Sequence, residues 1–376
     1  MVAWRISPTV ERALRDSPQM RSVAKRVDLA HWRARHRLAK WLPSTITPKP
    51  RQLTIAITAD CNLRCRGCHY GRDFMPGAQL SLPMVLGAIE DATAAGVHRI
   101  RFYGGEPLLH PHLPDMVQHA RALGAQPYIT TNGTHLGRKI GRLYEAGLRL
   151  ATVGFYGVND LYDSYTQKRG HFARLERSLA KVRSDCGSDF ELQLNYVLLR
   201  ETCNLKALED AWSFAKRFDM HFHVDTANYA APFFVQGLDS DLQLRPADRP
   251  AAEAVTQAML ALKREEPARF VHSETYIRSI PDWLLLGPNM RVPCDAYDLI
   301  WIGANGTVQL CDVTLPLGNL HEKPLRAMLF SDAHVQAARD AFQLKCPNCT
   351  CKAETRIRKD AASQRRYGGA TMAQRP

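Results

Sequence analysis

Cys61-Asn62-Leu63-Arg64-Cys65-Arg66-Gly67-Cys68 follows directly on the apolar run Leu53–Ala59. The run reads as a strand, and the Cys-x3-Cys-x2-Cys spacing gathers three thiolates in the loop behind it. No fourth cysteine lies nearby in the chain. A cubane 4Fe-4S cluster normally takes four thiolates, one per iron. Three leave one iron open for another ligand, as catalytic zinc sites leave a position open. A zinc knuckle with His69 as fourth ligand is the competing reading. Ligation by the adjacent Cys68 and His69 is awkward, because paired zinc ligands stand about two to four residues apart.

Outward from this stretch, strands and helices alternate from Arg51 to about Asn228. Strands fit Leu53–Ala59, Arg99–Tyr103, Pro127–Thr131, Leu150–Phe155, Phe190–Leu198 and His221–Asp225. Helices fit Leu82–Ala95, Leu113–Leu123, Leu136–Ala146, His171–Arg183 and Leu205–Phe218. Such alternation implies a parallel sheet with right-handed crossovers. The fold class expected is α/β, a partial (β/α)6 TIM-like barrel, three quarters of the full barrel. Barrels place their chemistry at the C-terminal ends of strands. The first strand feeds the cysteine loop, the second feeds Gly104–Pro107, the third feeds Asn132-Gly133 and the fourth feeds Phe155-Tyr156-Gly157.

Three segments together resemble the radical S-adenosylmethionine (SAM) superfamily: the cysteine loop, Tyr103-Gly104-Gly105-Glu106-Pro107, and Thr130-Thr131-Asn132-Gly133. The resemblance implies SAM as cofactor, its methionine amino and carboxylate groups on the open iron, and a 5′-deoxyadenosyl radical that takes hydrogen from substrate. It implies that Gly104, Gly105, Glu106 and Pro107 meet the SAM amino group and that Asn132 lies near the ribose. The residue before the third cysteine is commonly aromatic in that family and is Gly67 here, so Tyr70 is the candidate to pack on the adenine. A reductant such as flavodoxin or ferredoxin is the implied electron donor.

Cys294, Cys311, Cys346, Cys349 and Cys351 form a second set. Ile300–Leu310 reads as a hairpin with Asn305-Gly306 as a primed turn, which brings Cys294 and Cys311 together. Cys346 and Cys349 can add two thiolates. Four thiolates suit a second 4Fe-4S cluster or a structural zinc, and spacing alone leaves both open. Cys294-x11-Gly306-x4-Cys311 resembles the opening of the SPASM/twitch domain, which implies one auxiliary 4Fe-4S cluster and leaves Cys351 without a fixed role. The segment from Tyr156-Gly157 through Tyr165, Arg169, Gly170 and Phe172 resembles the same branch. There Gly154 and Tyr156 replace the Ser and Asp of many peptide-modifying members.

The net charge of +13 is uneven. Residues 1–50 carry eleven Lys/Arg against three Asp/Glu, and residues 353–376 carry six against two. The nearly neutral middle argues against nucleic acid as a partner. Met20–Leu42 reads as a basic amphipathic helix bearing Trp41, with Met20, Val23, Val27, His31, Ala34, Leu38 and Trp41 on one stripe. That stripe either packs on the body of the protein or lies on a membrane surface. No run of eighteen apolar residues occurs, so no transmembrane helix is expected. Cysteine usage points to metal or redox chemistry and a cytoplasmic setting, with peripheral membrane contact through the helix.

The expected division is 1–50 helical extension, 51–235 barrel, 236–290 helical connector, 291–352 twitch-type domain and 353–376 disordered basic tail. His221, His223 and Asp225 alternate onto one face of the last strand, and His223 or Asp225 is the candidate general base, with Tyr156 and Asn195 as further pocket residues. The function expected is SAM cleavage followed by oxidation or modification of a small polar metabolite or peptide. Two alternatives are a membrane-associated enzyme acting on a lipid or lipid-linked sugar, and a non-enzymatic Fe-S electron carrier.

Overall fold

The computed structural model describes residues 17–227, 230 and 240–369. The expected boundary at 235/236 and the ends 1–16 and 370–376 lie outside the described residues. The chain opens with α1 (Pro18–Trp41), capped by the Ser17 hydroxyl, which accepts from the Met20 amide at 3.2 Å. The barrel follows as β1 (Gln52–Thr58), α2 (Leu82–Ala94), β2 (Arg99–Gly104), α3 (Leu113–Ala122), β3 (Gln126–Thr131), α4 (Leu136–Glu145) and β4 (Leu150–Phe155). It continues with α5 (Asn159–Thr166), α6 (His171–Cys186), β5 (Glu191–Leu198), α7 (Leu205–Arg217) and β6 (His221–Thr226). All six strands run parallel in the order β6-β5-β4-β3-β2-β1.

The alternation along each strand explains the layers. Leu53, Ile55 and Ile57 of β1, Phe102 of β2, Leu192 and Leu194 of β5, and Phe222 and Val224 of β6 are all buried in one apolar core with the helices. The opposite face carries Thr54, Arg101, Tyr103, Asn195, His223 and Asp225. A parallel sheet covered on both faces would read apolar throughout. Here the second face looks into a lumen and is polar.

After β6 come α8 (Arg249–Glu265) and α9 (Glu274–Leu286). The sequence pattern missed α9 because Pro281 reads as a breaker, yet Pro281 sits buried inside the helix. It also missed the short α5. Then β7 (Leu299–Ile302), β8 (Thr307–Gln309) and β9 (Pro316–Asn319) extend the sheet past β1. β7 pairs with β1 in parallel, from Gln52 against Leu299 to Ile55 against Ile302. The C-terminal cysteine region is thus stitched to the barrel sheet through a shared strand pair.

The β7–β8 connection corrects the turn assignment. A primed turn needs positive φ at its first central residue, but of Asn305 and Gly306 only Gly306 has it, at +83°. The Gly306 amide donates to the Gly303 carbonyl at 2.9 Å, so Gly306 closes the turn from its fourth position.

α10 (Asp332–Phe342), α11 (Ala353–Lys359) and α12 (Ala361–Tyr367) complete the chain. The expected disordered tail is therefore corrected over 353–367. Ile357, Arg356 and Tyr367 are buried, and Tyr367 donates from its hydroxyl to Asp282 at 2.6 Å. The basic composition misled because Arg356 is a structural cation with partners inside the fold.

The α1 stripe does not pack on the body. Trp32, His36 and Ala39 form the packed face, against Ile46, Tyr297, Ala338 and Phe342. Met20, Val23, Val27, Leu38 and Trp41 are exposed, Trp41 to 90%.

Candidate functional site

The three cysteines of the first loop come together at the mouth of the barrel. Cys61 and Cys65 are partly enclosed and Cys68 keeps the most surface. Burial pushes the Cys61 thiol up to about 12 and raises Cys65 and Cys68, and the neighbouring thiols add to the rise on Cys61 and Cys65. Three thiols crowded in low dielectric resist ionisation until a cationic centre joins them. That donor set fits a cluster held by three thiolates.

The loop is fixed by backbone bonds from its own amides. Arg66 N donates to the Tyr165 carbonyl at 2.8 Å, and Arg64 N to Thr166 at 3.3 Å. The Arg66 side chain is paired with Glu201 and Asp241. Arg72 donates back to the Cys68 carbonyl at 3.1 Å.

Gly104 and Gly105 stand where the β1–β2 register slips, between Ala56 and Thr58. Their backbones press against the end of β1. A Cβ on Gly104 would lie 2.1 Å from the Thr58 carbonyl oxygen, and one on Gly105 would lie 2.3 Å from the oxygens of both Ala59 and Asp60. Close backbone approach is what glycine permits. The Gly105 amide donates to Thr58 at 2.8 Å and the Glu106 amide to Asp60 at 2.7 Å.

Glu106 is fully buried and is met by three donors of the chain. The Leu108 amide donates to it at 3.0 Å, Thr131 Oγ1 at 2.7 Å and the Asn132 amide at 2.8 Å. Burial pushes its carboxyl up to about 7 against those donors. Pro107 starts the short helical turn that follows. Asn132 Nδ2 in turn donates to Asn62 Oδ1 at 2.9 Å, while Asn62 Nδ2 donates to Thr134 Oγ1 at 3.1 Å. Glu106 therefore ties β2 to β3, and Asn132 ties β3 to the cysteine loop. Asn62 and Thr134 were invisible to motif reading, since neither is a ligand type.

Tyr70 is buried in an apolar cluster with Ala59, Tyr103, Trp301 and Ala304, its hydroxyl accepting from the Ala304 amide at 3.2 Å. Tyr156 stacks on Tyr165 with ring centres 4.0 Å apart and packs beside Cys65. Burial raises its phenol far above the ordinary value, with the cysteine thiols adding to the effect.

Below this mouth lies a cavity of about 350 Å³. Arg101, Tyr103, His223, Asp225, Trp301 and Cys351 are among its walls. His223 and Asp225 thus share the cavity, while Tyr156 is not among its lining. His221 faces a different cavity, near Arg183 and Glu266. His223 Nδ1 bonds Asn195 Oδ1 at 2.7 Å, and burial drives the imidazole well below its usual range. Burial raises Asp225, which is hydrogen-bonded to Asn195 as well. The His272 ring lies tilted against His223, centres 4.2 Å apart, and His272 bonds the Val224 carbonyl at 2.8 Å and Glu354 at 3.1 Å. His272 sits in the connector, where no pattern marked it.

The second cysteine set also converges. Cys294, Cys311, Cys346, Cys349 and Cys351 all line one closed void of about 20 Å³. The void is small, so it is the convergence of five sulfurs that suits a polythiolate centre. Among the described residues no three His, Cys, Asp or Glu side chains close around a point as a single-ion site does. Burial pushes Cys294 up to about 12 and raises Cys311 well above the ordinary value. Cys351 Sγ donates to Asp312 Oδ1 at 3.0 Å and lines the lumen cavity too. Arg356 braces the set, donating to the Cys349 carbonyl at 2.6 Å and the Val292 carbonyl at 3.2 Å.

Residues 55–202 match the family model of the radical SAM superfamily. Over that stretch, less than half of its length, the chain carries a radical SAM domain. That family implies SAM and a 4Fe-4S cluster. GTP 3′,8-cyclase 2 of Mycobacterium tuberculosis is 36% identical over 138 residues, 35% of this chain and 38% of the cyclase. The chain thus matches well under half the length of that relative. AdoMet-dependent heme synthase of Methanosarcina barkeri is 26% identical over 330 residues, 82% of this chain and 90% of the synthase.

Among solved structures, SuiB of Streptococcus suis bound to precursor peptide SuiA aligns with a TM-score of 0.60 at 15% identity, over 80% of this chain and 69% of SuiB. AnSMEcpe with bound AdoMet aligns at 0.58 and 16% identity, over 78% and 81%. These likenesses show the fold. Among the described residues no helix is long and apolar enough to cross a membrane.

Proposed function

We propose that this protein cleaves SAM reductively and uses the radical to oxidise or otherwise modify a small polar metabolite or peptide held in the barrel lumen. The observation that carries this reading is the gathering of Cys61, Cys65 and Cys68 at the end of β1, against the Gly104–Pro107 turn. The three thiolates would hold the cluster. The amides of Gly105 and Glu106 already donate to β1, so a SAM ammonium would meet carbonyl oxygens of that turn. Bound there, the cluster and SAM supply a 5′-deoxyadenosyl radical that abstracts hydrogen. Asn132, held by Glu106 and Asn62, would meet the ribose. Tyr70 and Tyr156 frame the mouth, Tyr70 as the adenine-side aromatic.

The second cysteine set would hold one auxiliary 4Fe-4S cluster, with a tetrathiolate zinc as the alternative. Its wall is shared with the lumen through Cys351. His223 or Asp225 would take the proton released as the substrate is oxidised, since burial keeps His223 neutral and Asn195 joins the two. A reductant such as flavodoxin or ferredoxin would deliver the electron that starts the cycle. The test is anaerobic: loaded protein, a chemical reductant and SAM should yield 5′-deoxyadenosine. No 5′-deoxyadenosine, with no change in the cluster spectrum on adding SAM, refutes the reading.

A second reading concerns location. The exposed α1 stripe, flanked by Arg26, Arg37 and Lys40, fits an anionic lipid surface by charge and by the 90% exposure of Trp41. We infer that α1 lies on such a surface, which would give access to a lipid-linked substrate.

A further inference from the structure

Among the described residues the lumen cavity holds seven charged or titratable side chains besides its tyrosines and Cys351: Arg101, His223, Asp225, His272, Asp312, Lys352 and Glu354. Six of them have partners. His223 and Asp225 share Asn195. His272 meets Glu354 at 3.1 Å. Lys352 is paired with Asp298. Asp312 accepts from Cys351 at 3.0 Å.

Arg101 differs. Its Nε is buried with no hydrogen-bond partner, and among the described residues no carboxylate stands within ion-pair distance of it. Its guanidinium lies over the ring of Tyr103, 4.6 Å from the centroid. That contact satisfies a face and leaves the donors in the guanidinium plane unmet. Asp312 and Asp225 act on it only from beyond ion-pair distance, so the guanidinium is buried without a hydrogen-bonded anion, which burial penalises. A planar fork of donors aimed into a cavity is the arrangement that receives carboxylate or phosphate. Tyr103 accepts from the Trp301 indole, so its own hydroxyl proton is available to the same ligand.

We propose that Arg101 anchors an oxyanion of the substrate, a carboxylate or a phosphate, inside the lumen across from His223 and Asp225. This rests on the lumen being the substrate site, and it narrows the substrate class to small anionic molecules or an acidic terminus of a larger one. The volume agrees, since about 350 Å³ is near the small end of ligand pockets. The carboxylates of Asp225 and Asp312 face the same space and repel an anion. Each already has a donor of its own, so the unmet donors facing the cavity are those of Arg101.

The test is calorimetric titration of full-length, cluster-loaded protein with three probes: glutarate, inorganic phosphate and SAM. The expected result is saturable binding of glutarate or phosphate to the wild type. Binding weakens roughly tenfold to a hundredfold in Arg101→Gln, as for loss of a charge-assisted bond, and Arg101→Lys retains part of it. Whichever anion binds identifies the oxyanion. SAM affinity stays unchanged in the variants, which separates this site from the cofactor reading. The midpoint of thermal unfolding in Arg101→Gln equals or exceeds that of the wild type, because an unpaired charge has gone. No saturable binding of either anion, equal affinity in Arg101→Gln, a variant that fails to fold, or a fall in SAM affinity alone would each overturn the proposal.

Discussion

Replacing Gly105 by alanine tests the geometry of the cofactor turn directly. The added Cβ would lie 2.3 Å from the carbonyl oxygens of both Ala59 and Asp60. Ordinary van der Waals contact needs about 1 Å more, and both neighbours are backbone atoms at the end of β1 rather than yielding side chains. The turn must move off β1 by roughly that amount. The Gly105–Thr58 bond of 2.8 Å and the Glu106–Asp60 bond of 2.7 Å lengthen with it. A displacement of about 1 Å in a positioning element costs about a hundredfold in rate.

Gly87 is the internal control. It lies in α2, and a Cβ added there would meet nothing within 4 Å. Alanine at this position should stabilise the helix by about 0.5–1 kcal/mol and leave activity alone. The assay is 5′-deoxyadenosine formation under reducing conditions, with thermal unfolding of both variants alongside. A Gly105→Ala enzyme within threefold of wild type would show that the turn does not set the cofactor's place, and the proposed site geometry would fall with it.

Four further outcomes are expected. Iron and acid-labile sulfide should approach about eight per chain, and exchanging Cys61, Cys65 and Cys68 together for alanine should leave about four; four irons with one zinc in the wild type would favour the tetrathiolate alternative. Asn62→Ala should lower SAM affinity by roughly tenfold while leaving iron content unchanged, since it removes the link from the cysteine loop to Asn132; unchanged affinity argues against Asn132 as a ribose contact. The double variant Leu38→Asp, Trp41→Asp should lose flotation on phosphatidylserine vesicles by at least tenfold, because each side chain contributes about 1.5–3 kcal/mol on burial; wild-type protein that never floats removes the lipid reading. Burial holds His36 at about 4 against an ordinary 6.5. Between those values the unfolded chain binds a proton that the folded chain refuses, so stability falls as pH drops through the window. Urea unfolding between about pH 7.5 and 4.5 should lose about 2.5 kcal/mol less in His36→Gln than in wild type, and identical losses would contradict the burial of that ring.

Much of the barrel was legible because each strand ends in punctuation that physics makes specific. A Cys-x3-Cys-x2-Cys loop, a Gly-Gly pair before Glu106 and an Asn-Gly pair after β3 each mark a strand end, and the structure places all three at one mouth. The lumen was legible on β6, where His223 and Asp225 alternate with Phe222 and Val224, and at Asn195 of β5. Arg101 and Tyr103 alternate just as clearly on β2, yet a cation on a strand reads as solvent-facing until the barrel closes over it. His272 could not be placed at all, because the connector bends it back under β6 through a bridge from Phe222 to Phe270.

Helix α1 shows the opposite failure. Its apolar stripe was plain in the sequence, but periodicity alone cannot say which side is occupied. Here the packed side holds Trp32 stacked on Tyr297, ring centres 5.7 Å apart, with His36 bonded to the Tyr297 hydroxyl at 2.8 Å. One aromatic and one buried histidine outweighed a longer row of aliphatics.

The placement of Cys351 links the two cysteine groups to the outcome of the reaction. It is the one cysteine that lines both the lumen and the void shared by the second set. A substrate anchored at Arg101 would have that thiol and the His223–Asn195–Asp225 group around it. On the proposed reading, the first would stand between the substrate and the second cysteine set. The His223–Asn195–Asp225 group offers acceptors for a departing proton, held neutral or raised by burial. An enzyme that only moved a hydrogen atom and returned it would need neither arrangement. Loss of both an electron and a proton is dehydrogenation, or closure of a bond after oxidation, and the lumen's donors and acceptors favour that class. The same logic predicts a dissociation: Asn195→Ala should leave 5′-deoxyadenosine formation intact while oxidised product falls by about a hundredfold, the scale of a lost acid-base partner. Equal losses in both quantities would place Asn195 with the cofactor and undo the assignment of the proton path.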